Sequence, residues 1–465
     1  PEQILDDTAV WQALSQRDST LEGAALRAEI VPLIQEAQQA GRKAIAAGFA
    51  ESPFDARAMT SSYTYLTDQL LRCVLQIATQ VLHPNPNPTE GERLAMIGVG
   101  GYGRGEMAPF SDVDLLFLIP YKATAWSESV IESMLYILWD LKLKVGHATR
   151  TIEDCLRLGA DDYTIQTALL ENRFIDGDLT LAQELSERLK NDLFSGAGKD
   201  FIEAKLEERD NRHLKQGERY MVEPNVKEGK GGLRDLHSLF WIAKFIHDVD
   251  RVADLVDLGV FRADEYDTFR EAEAFLWAVR GHLHLIAGRA TEQLTFDMQV
   301  QVAQAMGYQD IGGRRGVEIF MQAYFRHATA VGDLTRIFVS GLEASHMKAE
   351  PLLERIFRRR PKMREGFQVV HNRIALKDDQ EFLQAKLNLL RIFEEALRTG
   401  MLIHPDAMRL IKANLALIDD DMRRTPEARR IFLDLLLKHG NPERSLRRMN
   451  ELGVLGAFIP EFEPI

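Results

Sequence analysis

Apolar residues recur every three or four positions through "LRAEIVPLIQEAQQAGRKAIAAGF" and "LTDQLLRCVLQIATQVL", which predicts long helices before residue 83. "HPNPNPTEGE", His83 to Glu92, breaks that period with three prolines, two asparagines and a glycine, a boundary signal. After it the spacing changes. "RLAMIGV" and "VDLLFLI" are short apolar runs bounded by Gly and Pro and read as strands. "SESVIESMLYILWDLKLK" returns to helical spacing, and "VGHATRT" suits a further short strand. Helical periodicity then dominates from about residue 155 to the end, broken at "EGFQVVHNRIALKDDQEF", which suits a hairpin. The expected class is α+β, a small sheet embedded in a mainly helical chain. The expected divisions are 1–85 (helical), 86–185 (sheet-bearing), 186–345 (helical), 346–440 (helical linker) and 441–465 (a short last segment).

Composition narrows the partners. At 465 residues and net charge −13, the chain lacks the clustered Lys and Arg that a broad nucleic-acid surface needs. Its one basic run, "RIFRRRPKMR" from Arg355 to Arg364, reads as a solvated helix end stopped by Pro361. No apolar run approaches the roughly 20 residues of a membrane helix, so no membrane partner is expected. Two cysteines, Cys73 and Cys155, lack metal-ligand spacing, and the acidic opening "PEQILDDTAV" does not resemble a signal peptide. A reducing cytoplasm fits both features.

Candidate chemistry concentrates in "IGVGGYGRGEMAPFSDVDLLFLIP", Ile97 to Pro120. Gly98, Gly100 and Gly103 form a G-x-G-x-x-G fingerprint, yet only nine residues separate Gly103 from Val113. A dinucleotide-binding unit needs a full crossover helix there, so that reading fails on length. The aspartates pass a different test. In an extended chain Asp112 and Asp114 project to one face, with Cα atoms ~6.5 Å apart. Two such carboxylates suit Mg²⁺, or Mn²⁺. A side-chain-free turn at Gly100-Gly101 lets backbone N–H groups approach a triphosphate, and Ser111 and Arg104 add donors. The competing reading is a hairpin whose polar residues merely face water.

"GGYGRGEMAPFSDVDLLFL" resembles the core motif of the DNA polymerase β-like nucleotidyltransferase superfamily. Within it, "VEPNVKEGKGGLRDLHSLFWIAK", Val222 to Lys244, is similar to the bacterial PII uridylyltransferase/uridylyl-removing family, and the resemblance runs on through "GHLHLIAGRATEQLTFDMQVQVAQAMGY". It implies a polymerase β-like sheet over 86–185 and transfer of UMP from UTP to a tyrosine of the nitrogen-regulatory PII protein, by two-metal chemistry. Asp112 and Asp114 would be the catalytic metal ligands, and Gly100, Gly101 and Ser111 would hold the triphosphate. The superfamily adds a third acid from a neighbouring strand; "KVGHATRT" has Gly146 and His147 there instead, leaving Glu153, Asp154 or Glu171 as substitutes.

In the second motif, Lys227, Lys230 and Arg234 sit where the helix from Leu233 begins, a place that welcomes an anion. Lys230 and Arg234 are therefore expected nucleotide-binding residues, against the alternative of a basic loop capping a core helix. "HD" at His247-Asp248 resembles a phosphohydrolase dyad but lacks further ligands, and His282 and His284 read as packing or surface residues. Family members continue into a hydrolytic HD domain and glutamine-sensing ACT domains. Neither pattern follows here, so the expectation is a fragment that transfers UMP without removing it and without glutamine control. Two rival readings are a nucleotidyltransferase with another acceptor and a non-catalytic nucleotide-binding regulator.

Overall fold

The computed structural model describes residues 4–5, 8–16, 23–195, 198–216, 222–249, 251–346, 363–370, 373–438 and 442–462. The basic run 355–364 falls almost wholly outside them. The architecture is α+β. The chain divides into two compact units, 1–328 and 329–465, with the division inside the helix Gly316–His346 rather than after it. Among the described residues no helix is long and apolar enough to cross a membrane.

The sheet of the first unit has four strands, β1 (Ala95–Gly98), β2 (Val113–Leu118), β3 (Val145–Arg150) and β4 (Arg173–Gly177), in the order β3-β2-β1-β4. β1 pairs antiparallel with both β2 and β4, while β2 and β3 are parallel. An antiparallel β1–β2 pair is incompatible with a dinucleotide-binding βαβ unit, whose strands run parallel. The central position of β2 explains its sequence: Val113, Leu115 and Phe117 are buried on one face, Leu116 and Leu118 on the other. Ala95, Ile97, Leu116 and Leu118 form one core with Ile152, Cys155, Leu169 and Leu181 from the helices that follow β3 and β4. Burial pushes the Cys155 thiol up to about 12, so it serves as a small apolar residue.

β4 is absent from the pattern expected of the sequence, which reads as helical after residue 155. "RFIDG" is short and only Ile175 is deeply buried, so it carries little alternation of its own. Pairing with β1 and the left-handed Gly177 close to the Leu94 carbonyl define it.

Helices surround this sheet. Ala56–Gln76 buries Met59, Tyr63, Leu66, Leu70 and Val74 at helical spacing, with Asp55 capping its N-terminus. It packs against Gly23–Glu51, Ala263–Ala287 and β4. The helix Leu233–His247 lies against Gly198–Gln216 and Ala263–Ala287, and Trp241 and Phe245 join Leu170 and Phe201 in a cluster that ties it to the sheet layer.

The second unit contains the expected hairpin, β5 (Phe367–Val370) with β6 (Arg373–Leu376), to which β7 (Leu402–Ile403) adds in parallel. Met449, Leu452, Val454 and Phe458 share its core with Ile374, Phe393 and Ile431. The described part of the last segment thus contributes to this core.

Candidate active site

The loop between β1 and β2 holds the expected residues. Gly100 has φ +59°, and a side chain there would sit 3.5 Å from Asp114 Oδ2. The positive φ favours glycine, while the 3.5 Å approach is an ordinary contact. The N–H groups of Gly100 and Gly101 make no backbone hydrogen bond among the described residues, whereas Gly103 and Arg104 close a turn onto Val99 and Gly100. Ser111 shapes the approach to β2: its Oγ accepts from Ala108 N at 3.0 Å, and its own N–H donates to the Ala108 carbonyl at 3.1 Å.

Asp112 is exposed and immediately precedes β2, while Asp114 is its second residue and half-buried. Neither carboxylate makes an ion pair or hydrogen bond among the described residues. Burial, and then the neighbouring Asp112, push the Asp114 carboxyl up; Lys227 pulls it down. In the parallel register Asp114 stands beside Gly146, and a Cβ at 146 would lie 2.5 Å from Asp114 Oδ1. Where a third acid was sought, the neighbouring strand thus has a glycine, with the Asp114 carboxylate lying against it.

The three substitutes for that acid are committed elsewhere. Glu153 pairs with Arg188 at 3.0 Å, and Asp154 closes a capping box with Thr151. Glu171 is 4% exposed and holds Arg104 Nη1 at 2.5 Å. No group of three or more His, Cys, Asp or Glu able to hold a metal occurs among the described residues. Asp112 and Asp114 still form a pair that fits a hard cation: two oxygen donors without protein partners, in a space cleared by two glycines.

Arg104 differs from the expectation. Its Nε donates to Glu106 at 2.7 Å and its Nη1 to Glu171, so the guanidinium is a buried strut rather than an open fork. Its Nη2 lies 3.4 Å from His237 Nε2. Burial and then Arg104 hold His237 far below its usual range, neutral at physiological pH.

The second motif does reach this loop, by a route the sequence did not reveal. Phe110 N donates to His284 Nδ1 at 3.2 Å, and His284 Nε2 faces Glu292 Oε1 at 3.6 Å. Glu292 takes Arg280 in a bidentate pair at 2.8–3.0 Å, and its carbonyl accepts from Val226 N at 2.8 Å. Burial opposes the Glu292 charge, but His284 and Arg280 hold its carboxyl down to about 2. On the other side, Arg42 donates to the Pro109 carbonyl and lies over the Phe110 ring at 4.5 Å. Pro109-Phe110 is clamped two residues before Asp112. His284 is wholly buried and His282 nearly so, the latter stacked on Phe49 at 4.3 Å, so neither is a surface residue.

The turn 225–232 is closed by Asn225, whose Oδ1 accepts from the N–H groups of Lys227 and Glu228 at 3.1 and 2.7 Å. It also occupies the start of the helix Leu233–His247. Leu233 N donates to Val226 O, Arg234 N to Lys227 O and Asp235 N to Gly232 O. Those donors, expected to welcome an anion, are already bonded. Arg234 pairs with Glu228 at 3.1 Å and lies over Trp241, and Lys230 is exposed. Lys227 is the half-buried cation whose charge Asp114 feels. Nothing in the spacing of Lys227 and Lys230 separates them; only packing does. The His247-Asp248 pair ends its helix, with Asp248 left-handed and paired to Lys190.

Comparison with known proteins gives two family matches. Residues 200–339 match the family described as GlnD PII-uridylyltransferase, and 367–458 match the uridylyltransferase GlnD third domain. Similar proteins include bifunctional uridylyltransferase/uridylyl-removing enzymes of Ruegeria pomeroyi (66% identical, over 99% of this chain and 51% of that one) and Cereibacter sphaeroides (59%, 99% and 50%). A third is that of Azospirillum brasilense, 45% identical over 95% of this chain and 47% of its own length. The chain spans about half the length of the curated relatives it matches. With both domain matches in sequence order and 66% identity to a relative over 99% of this chain, the chain belongs to the GlnD uridylyltransferase family.

Proposed function

We infer that this chain transfers UMP from UTP to a tyrosine hydroxyl of a PII-type signalling protein, with release of pyrophosphate. The observation that carries the reading is the pair Asp112 and Asp114: two carboxylates without protein partners, one of them partly buried at a stability cost, beside the bare turn at Gly100-Gly101. Natural folds keep such groups where a ligand compensates them. The family name supports uridylyl transfer and the PII acceptor.

Asp112 and Asp114 would hold Mg²⁺ or Mn²⁺, which when bound polarises phosphoryl oxygens and favours the ionised acceptor hydroxyl. The remaining work is positioning. The N–H groups of Gly100 and Gly101 face the phosphates, and Ser111, its oxygen already accepting from Ala108, still has its hydroxyl hydrogen to donate. Gly146 leaves Asp114 room to turn towards the ligand. His284 and Arg42 fix the backbone before Asp112, so the carboxylates need little reorganisation when substrate arrives.

The test is incubation of the chain with UTP labelled in the α-phosphate, Mg²⁺ or Mn²⁺ and a PII protein. Label should appear on PII with the wild-type chain and vanish with Asp112→Asn. Transfer that survives in Asp112→Asn overturns the site, and tight UTP binding without transfer favours a regulator.

A further inference from the structure

Four cations cluster around the buried His237, of which Lys227 also acts on Asp114, and three have carboxylate partners. Arg104 has Glu106 and Glu171, Arg234 has Glu228, and Arg280 has Glu292. Lys227 makes no ion pair and no hydrogen bond through its ammonium among the described residues. Glu292 and Glu228 act on it only through longer-range attraction, outweighed by burial and by repulsion from Arg280 and Arg234. Holding an ammonium half-buried without a partner is unfavourable, and the same packing could have placed it in solvent, as it does Lys230.

A chain of hydrogen bonds and one close ion-pair contact, and not charge alone, fixes its position. Val226, the residue before it, is tied to the Glu292 carbonyl, Glu292 faces His284, and His284 holds Phe110, two residues before Asp112. The Lys227 carbonyl is itself fixed by Arg234 N at 2.9 Å. The lysine stem therefore rises from a turn that is linked to the loop before Asp112. Because the helix N–H groups at Leu233, Arg234 and Asp235 are bonded within the turn, an anion there has to be met by a side chain.

We propose that Lys227 grips a phosphate oxygen of the nucleoside triphosphate, across from Asp112 and Asp114. The assignment rests on the nucleotidyltransferase reading above. It moves the role expected of Lys230 and Arg234 to the cation whose partner is missing from the chain itself. Lys is suited to it: a compact point charge on a flexible stem follows a phosphate as it becomes pyrophosphate.

The experiment uses the whole chain and Mg²⁺-pyrophosphate as the probe, titrated calorimetrically into wild type, Lys227→Met, Lys227→Arg and Lys230→Ala. Met keeps the packing of the stem and removes only the charge. Lys227→Met should weaken pyrophosphate binding about 10–100-fold and raise the KM for UTP in parallel. Lys227→Arg should recover part of the loss, and Lys230→Ala should lose less than Lys227→Met. Without ligand, Lys227→Met should melt at the wild-type temperature or above, because no ion pair is broken. Pyrophosphate affinity within about twofold of wild type in folded Lys227→Met would overturn the proposal. So would a lowered melting temperature with affinity retained, which marks a structural lysine, or wild-type chain that binds no pyrophosphate. Should Lys227→Met fail to fold, Lys227→Arg against Lys230→Ala decides: an affinity loss larger in the first supports the proposal, and one larger in the second overturns it. A wild type that binds pyrophosphate through Lys227 yet labels no PII protein would leave this assignment standing and remove the transfer reading.

Discussion

Asp235 and Asp114 are both aspartates on the two motifs that meet at the cleft, and the fold treats them oppositely. Asp235 is almost wholly buried but receives Arg212, His213 at 2.9 Å and the Gly231 N–H at 2.8 Å, which together overcome burial and hold its carboxyl below its usual range. Asp114 is less buried, has no protein partner, and is pushed up. One carboxylate is structural because its partners are supplied by the chain. The other is poised because they are not, and the difference lies entirely in which donors reach each carboxylate.

The contrast breaks most directly at the poised end. Asp114→Asn should reduce UMP transfer by at least about 10²–10³-fold, the scale of losing a group that stabilises developing charge. It should also leave the melting temperature unchanged or raised at neutral pH. The sign follows from linkage: a carboxyl raised in the folded state makes its ionised form a burden above its unfolded value, and that burden is relieved as pH falls. A marked loss of stability in Asp114→Asn would place it with Asp235.

Asp235→Ala tests the structural end. Removing one partner of a buried ionic cluster costs about 3–5 kcal/mol, so urea unfolding should shift strongly before any kinetic effect is considered. An unchanged midpoint would refute the contrast. Gly146→Ala lies between the two. The added methyl would meet Asp114 Oδ1 at 2.5 Å on an exposed edge strand, so transfer should fall roughly 10–100-fold with the fold retained.

The smallest and most graded effect is expected of His284. Its Nδ1 must be unprotonated to accept from Phe110 N, and burial lowers its pKa below the ordinary 6.5. A histidine lowered on folding contributes stability that is present above its unfolded value and is lost as pH falls through the folded one. Wild type should therefore lose stability and activity on acidification below about pH 6. His284→Gln should lose a few-fold in kcat and flatten that profile; an unaltered profile would detach His284 from the loop.

Several elements were legible without tertiary information because local physics defines them. The Pro-Asn break at 83–92, the buried alternation of β2, the hairpin at 367–376 and the incompatibility of Gly103–Val113 with a crossover helix are all matters of spacing. β4 was not legible. Its five residues have little signature of their own and exist as a strand because β1 offers an edge.

The roles of the charged residues divide along the same line. Asp112 and Asp114, one residue apart beside a glycine turn, identify themselves, since their spacing alone makes them converge. Which cation joins them is a question of burial and partner choice across more than a hundred residues of chain. The sequence pointed to Arg104, Lys230 and Arg234 and passed over Lys227; Glu106, Glu171 and Glu228 took up two of them, and solvent the third. By itself the sequence determined the strand, the turn and the two carboxylates, because these are short-range geometry. Only the tertiary structure decided that Gly146 stands where another acid was sought, that His284 holds the loop, and that Lys227 is left without a partner, because each depends on which distant side chains meet.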